Sequence, residues 1–448
     1  MATASLERTT STAPTLTTKA TISYWCKRGR MSGWNNGAIA GGHDSGNTAN
    51  NNWQCGFIDT DKFYLWNNGV SMNLVSTRRA RDTNAWYHVV WSLDSTQSTA
   101  ADRAKLYING VQETVFDTAN YPTQNGNFDI FRNGNAFRVG KYINTSGSDY
   151  WYDGCLSHVH FIDGTTYQAS TFGQTDATTG EWSINANPTV NYGNNGVFIL
   201  KNDNSNLDRS GNGLNFTMGG TVTKTEDCPS NIFCTFNSLT PVPSSSYANG
   251  NTKATDGAGA HKAFYGTLGF TSGKYYWEAK AVSGQKFTIG ISDVENYINY
   301  TQVTNTNVII GESSNSYGNG DAIGWYYNTL NKNGSAVASN IHTIVQNDIM
   351  MIAVDADNGK IYYGVNGTWR VANSTTFNAS NHDTTFTTGK TYAPAFSAES
   401  CGWEANFGNG YFGTTAISSA GTNASNLGIF EYDVPSGYAA LCTKGLNE

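Results

Sequence analysis

Apolar residues in this chain come in short runs or strict alternation, and each run stops at a cluster of Asn, Asp, Ser or Gly. The clearest instance covers residues 349–369. An apolar run (IMMIAV) meets the polar stretch 355–359 (DADNG), the run 360–365 (KIYYGV) returns, and Asn366 and Gly367 make a second corner. Asp, Asn and Gly tolerate the positive φ that tight hairpin turns require, so this pattern predicts a β-hairpin with a further turn attached. The same device occurs upstream, where 86–94 (WYHVVWSLD) is followed by a polar insert and 105–108 (KLYI) returns to Asn109 and Gly110. Two antiparallel β domains, each built around one local device, are therefore expected.

Further predicted strands in the first half are 21–26, 54–58, 62–66, 71–75, 128–132, 136–139, 154–162 and 197–200. In the second half they are 274–282, 287–292, 321–328, 391–397 and 403–407. The segment 274–282 (KYYWEAKAV) alternates strictly, with Tyr276, Glu278 and Lys280 on one face and Tyr275, Trp277, Ala279 and Ala281 on the other. Strands this short and this closely spaced suit sandwiches or jelly rolls and leave little room for crossover helices. An Asn/Asp/Ser/Gly-rich stretch from 202 and a local concentration of prolines near 229–243 mark the junction. The expected organisation is all-β: a first sandwich at 1–201, a connecting segment at 202–233 and a second sandwich at 234–448.

Composition agrees with strands and turns. Charged residues are 14% of the 448, aromatics 13%, and glycines number 48, against a usual charged share of about a quarter. The formal net charge of −7 and the lack of a basic stripe argue against nucleic acid as a partner; the densest basic cluster is Arg78, Arg79 and Arg81. No apolar run approaches the length of a membrane span, and the Thr/Ser-rich first 20 residues lack a signal-peptide core, so a soluble chain made in the cytoplasm, without membrane insertion, is expected. The seven cysteines never form a C-x-x-C pair and read as buried free thiols, with a Cys228–Cys234 disulfide as the alternative.

Candidate chemistry is sparse. The Glu-x-Asp-x-Glu run with which jelly-roll glucanases set two carboxylates on one face is absent. Glu278 and Glu404 are isolated, Glu431 and Asp433 lack a third partner, and Glu226 and Asp227 sit beside a proline. A non-enzymatic protein without cofactor follows as the expectation. His158 and His160 alternate on one predicted strand face with no third ligand in view, and the loops at 208–213 and 355–358 read as turns before calcium sites; no metal site is expected. Aromatics are the remaining lead. Trp34, Trp53, Trp66, Trp151, Trp182 and Trp403 neighbour Asn, Asp or Gly, the composition of a surface that stacks on sugar rings and hydrogen-bonds their hydroxyls. The same setting also suits rings folded back onto a sandwich. Trp25, Trp86, Trp91, Trp277 and Trp325, inside strands, read as core.

Several ordered blocks carry a resemblance. Residues 272–278 (SGKYYWE), 289–291 (IGI), 324–326 (GWY), the 354–367 hairpin and 392–396 (YAPAF) resemble a SPRY domain, which implies a bent β-sandwich that binds protein partners through its loops. Residues 21–25, 86–89, the 105–110 corner, Phe137, Val139, Gly140 and 154–163 resemble concanavalin A-like and laminin G-like jelly rolls. The combination, with Ser5, Leu6, Arg8 and Thr9 at the start, the 161–164 corner, the 208–212 loop and Asp227, Pro229 and Asn231 at the junction, is similar to structural proteins of tailed, especially marine, bacteriophages. That resemblance implies a virion protein of a tail or capsid fibre that displays a binding surface for a host glycan or protein. It further implies contacts with other virion proteins and a homo-oligomer, most simply a trimer. The alternatives are a capsid decoration protein that binds no receptor and a polysaccharide-degrading jelly-roll enzyme.

Overall fold

The computed structural model describes all residues except 1–3, 32–36, 45–50, 202–205, 241–244, 258, 285, 296–307, 313–320, 371–376, 381 and 448. The chain divides into two compact units, Met1–Lys224 and Thr225–Glu448. Each has its own apolar core. Among the described residues no helix is long and apolar enough to cross a membrane.

The first unit contains β1 (Ser5–Thr9), β2 (Lys19–Arg28), β3 (Ala38–His43), β4 (Trp53–Phe57), β5 (Lys62–Asn67), β6 (Met72–Arg79), β7 (Trp86–Asp94), β8 (Ala104–Ile108) and β9 (Val111–Glu113). It continues with β10 (Phe116–Asn120), β11 (Ala136–Val139), β12 (Lys141–Ile143), β13 (Asp149–Trp151), β14 (Gly154–Asp163), β15 (Gly173–Thr175), β16 (Trp182–Ile184), β17 (Val197–Ile199) and β18 (Thr217–Gly219). An eight-stranded sheet runs β10-β6-β5-β4-β3-β11-β1-β18, and a six-stranded sheet runs β17-β14-β2-β7-β8-β9. The hairpins β12-β13 and β15-β16 are separate. Every pairing among these strands is antiparallel, and one core cluster takes side chains from both sheets, including Ile22, Tyr24 and Trp91 from one and Trp53, Leu65 and Phe137 from the other. This is a sandwich.

In the second unit a nine-stranded and a six-stranded sheet share a core. The alternating strand Lys274–Val282 lies between Ile349–Asp355 and Gly402–Asn406. Tyr275, Trp277, Ala279 and Ala281 face that core as predicted, while Tyr276 packs under Phe430, Val434 and Tyr438 of the C-terminal segment. Both predicted corners form with the expected backbone: φ is +48° and +79° at Asn109 and Gly110, and +50° and +80° at Asn366 and Gly367. The fold class, two antiparallel β-sandwiches in one chain, is the one the pattern predicts.

Two local expectations differ, and a third, that the cysteines are free thiols, holds. Residues 128–132 form no strand. Phe128, Ile130 and Phe131 are buried, but Arg132 N–H bonds back to Asp129 O, and the Asp129 carboxylate accepts from Gly69 N–H and the Asn67 amide, so the run is a turn with apolar contents. Much of the expected connection belongs to the first unit, because β18 pairs with β1 and Phe216 enters its core. All seven cysteines are free, five of them buried.

Candidate functional site

The outward face of the eight-stranded sheet carries one continuous cross-strand row. Direct partners run Glu7 to Arg138, Arg138 to Gly41, Gly41 to Gln54, Gln54 to Trp66, Trp66 to Asn73 and Asn73 to Asn120. Facing residues on neighbouring antiparallel strands project to the same side. The side is fixed by the alternation, since Leu6, Ala40, Trp53, Cys55, Leu65, Met72 and Leu74, one position away, fill the core. Trp66 and Asn73 are half-buried and Asn120 is exposed.

The hairpin β12-β13 lies over the β3 end of this row. Gly41 is required there: a Cβ on it would stand 2.6 Å from the Tyr142 ring. Tyr142 and Tyr150 have ring centroids 6.2 Å apart. Both lie near the Tyr64 hydroxyl, whose pKa burial first, then Cys55 and these two tyrosines, raise well above its ordinary value. Charges at this end cancel within the protein: Arg138 Nε is 3.2 Å from Glu7, and Lys141 Nζ is 3.3 Å from Asp149 and stands 4.5 Å above the Trp151 ring. Arg138 also donates to His43 Nε2 at 3.0 Å, while His43 Nδ1 is 2.7 Å from Asp44 O, which assigns its proton to Nδ1. Beyond Tyr142 the row is different. Among the described residues the side-chain amides of Gln54, Asn73 and Asn120 and the indole N–H of Trp66 take part in no hydrogen bond within the protein.

The predicted tryptophans separate accordingly. Trp66 and Trp151 belong to this face and its hairpin. Trp53 and Trp403 are corrections, because both are fully buried. Trp53 packs on Phe137 and Phe161 at 5.4 and 5.8 Å, and Trp403 packs on Phe287 at 5.2 Å while its N–H donates to Ser397 O; neither presents a ring face to a ligand. Trp182 lies against the other sheet, with Gly110 and Gly173 so close that a Cβ on either would meet its ring at 2.4 and 2.6 Å. Trp34 lies outside the described residues. Alternation could have sorted Trp53 from Trp66: Trp53, Cys55 and Phe57 share an all-apolar parity, whereas Trp66 is out of phase with Phe63 and Leu65.

Under Trp182 lies a pair with the look of catalytic chemistry. Ser23 Oγ is 3.0 Å from His88 Nε2. However, the Trp182 indole N–H donates to His88 Nδ1 at 2.9 Å, so the proton of the neutral imidazole sits on Nε2 and is offered to Ser23. A general base needs the reverse. Burial, and secondarily His158, lower the His88 pKa to about 3, and Trp25 stacks on its other side at 4.8 Å. His158 and His160 do not simply alternate: the β14-β2 register shifts between Ser157 and His160, and His158 has φ +46°. His160 is buried, stacks on Phe198 at 3.9 Å and bonds Tyr192 Oη. Asp208 accepts from the backbone N–H of Phe198, Ser210 and Leu214 and from Ser210 Oγ, so its oxygens are used in shaping the loop. Among the described residues no three His, Cys, Asp or Glu side chains come together in a way that could hold a metal.

Comparison with known proteins bears mainly on the first unit. Residues 3–169 match the sequence model of the Concanavalin A-like lectin/glucanases superfamily, and the first sandwich is concanavalin A-like over those residues. No curated protein matches the chain. Among solved structures, the SPRY domain of human HERC1 matches at 16% identity, covering 38% of this chain and 96% of that one, with a TM-score of 0.27. The TRIM65 PSpry domain matches at 13% identity over 38% and 89%, also at 0.27. At that TM-score the likeness carries no argument, and the second sandwich is described by its own strand pairing.

Proposed function

We propose that the protein is a non-catalytic binding protein whose first sandwich holds a glycan against Trp66, and that it serves a phage particle as a fibre or capsid protein attaching to the host surface. The observation that carries the binding half is the row Gln54–Trp66–Asn73–Asn120, one indole flanked by three amides with no partner among the described residues. Stacking on a ring with amides offering both donors and acceptors is the chemistry that recognises sugar rings and their hydroxyls. The concanavalin A-like match to residues 3–169 supports the same reading. Against hydrolysis stand the missing carboxylate run and the tautomer of His88. The particle role rests on the sequence resemblance, as do a trimeric state and contacts with other virion proteins.

The test is binding of the purified chain to a glycan array and to host cells, beside the Trp66→Ala variant. Glycan binding lost in the variant is the expected result. Density over capsid joints with no glycan or cell binding would favour a decoration protein, and release of reducing ends from host polysaccharide would replace the binding role with an enzymatic one.

A further inference from the structure

We infer that this face selects an uncharged glycan, laid across β4, β5, β6 and β10, over acidic or sulfated chains. The inference rests on the glycan reading of the same face and deepens it.

Three buried side-chain amides of the first unit are engaged within the protein: Asn67 bonds the Asp129 carboxylate and Asn52 O, Asn135 donates to Asn51 O and Asp129 O, and Asn195 bonds Thr12 O; Asn52, fully buried, has both amide atoms without a partner among the described residues. Gln54 differs from those three and, unlike Asn52, lies on the outward row. It is only 5% exposed, yet no described group hydrogen-bonds its amide. With no partner in the described part of the protein, this amide can exchange water for a ligand hydroxyl. Trp66 stands directly beside it, and Asn73 and Asn120 continue the line. With neighbouring strands about 4.8 Å apart, the stretch from Gln54 to Asn120 is about 14 Å long. On the β3 side Tyr142, seated against Gly41, occupies the next position; on the other side β10 is the sheet edge.

The preference for an uncharged chain follows from the ions on this face. Arg138 and Glu7, Lys141 and Asp149, and Lys62 and Asp117 pair with each other. Arg79 is six residues along β6 from Asn73, about 20 Å at 3.3 Å per residue. A carboxylate or sulfate on the ligand would therefore give up its hydration with no cation among the described residues of the Gln54–Asn120 stretch to replace it. Neutral hydroxyls lose nothing of the kind.

The experiment titrates the full chain with a neutral glucan or mannan oligosaccharide and with polyuronate and sulfated oligosaccharides of equal length, at low and high salt. Affinity for a neutral member unchanged by salt, and weakened about tenfold or more by Trp66→Ala and several-fold by Asn73→Ala, is expected. Asn73 is half-buried on the outward face, which keeps that variant informative should Trp66→Ala fold poorly. Preference for the acidic chains, weakened by salt and by Trp66→Ala, would overturn the selectivity and leave the glycan face standing. Neutral binding untouched by both variants would remove the site from this row, and no binding of either class would overturn the glycan reading as well.

Discussion

Arg28 shows how much one side chain can carry in this fold. It is 1% exposed, its guanidinium lies 3.0 Å from Asp61 and donates to Ala80 O at 2.7 Å, and it stands 4.5 Å over the Phe57 ring. Removing one member of a buried pair strands the other's charge, which costs about 3–5 kcal/mol. Arg81 also reaches Asp61, at 3.3 Å, but its side chain is 62% exposed, so it softens the loss without replacing Arg28. Arg28→Ala is expected to lower unfolding stability near the bottom of that range, and Arg28→Ala combined with Asp61→Ala by less than the sum of the two. Denaturant titration of the three variants checks both; full additivity would mean that the pair is not coupled. The sequence displays Arg28 only as a charge at the end of a strand, because Asp61 and Ala80 reach it through tertiary folding. Glu278 is the same lesson in the second unit. It reads as an isolated carboxylate, yet it is fully buried and accepts from Tyr276 Oη, the Asn406 amide and the backbone N–H of Glu431 and Tyr432.

Strands and corners were legible where the signal is local. Asn109-Gly110 and Asn366-Gly367 announce their positive φ in two letters, and the alternation of 274–282 assigns its faces correctly. β1 was not legible, since SLERT is a polar strand in a polar stretch and is fixed by pairing with β11 and β18. The row through Trp66 was hidden for a related reason: Gln54, Trp66, Asn73 and Asn120 meet through the register of four strands, which no single window contains. The hairpin β12-β13 also reads as loop, and its seat is a glycine. Gly41→Val is therefore expected to lift the hairpin, because the added Cβ would collide with the Tyr142 ring. Overpacking of this kind costs about 1–3 kcal/mol. Limited proteolysis should cut the 144–148 turn faster in the variant than in the parent chain. Equal cleavage rates would show that Tyr142 moves aside and that Gly41 does not hold the hairpin down.

At the scale of the whole chain, the two units are expected to answer pH differently. In the first unit His88 and His158 have pKa values lowered, chiefly by burial, to about 3 and about 4, and His160 is lowered as well. A histidine lowered in the folded state contributes stability that is complete above its unfolded value near 6.5 and drains away as pH falls toward the folded value, because the unfolded chain binds more protons in between. Three such groups act in the same direction. The second unit has His261, lowered to about 4 by burial against the opposing pull of Glu399. It also has Glu278, which desolvation pushes up to about 7 despite its four donors. For that carboxyl the folded chain binds the extra proton between about 4.5 and 7, so its contribution is complete at the acid end and is lost as pH rises through that window. The two groups offset each other over most of the range from 6.5 to 4.5. Each half has its own core, so residues 1–224 and 225–448 are expected to fold when produced separately. Urea unfolding of each half between pH 6.5 and 4.5 should show the first losing stability with acid at up to about 1.4 kcal/mol per pH unit for each histidine, and the second changing far less. Glu278→Gln tests the cancellation directly: without the compensating carboxyl the second half should become acid-sensitive through His261. Parallel slopes for the two unmodified halves, or a Gln variant with the slope of its parent, would show that these buried groups do not set the pH response.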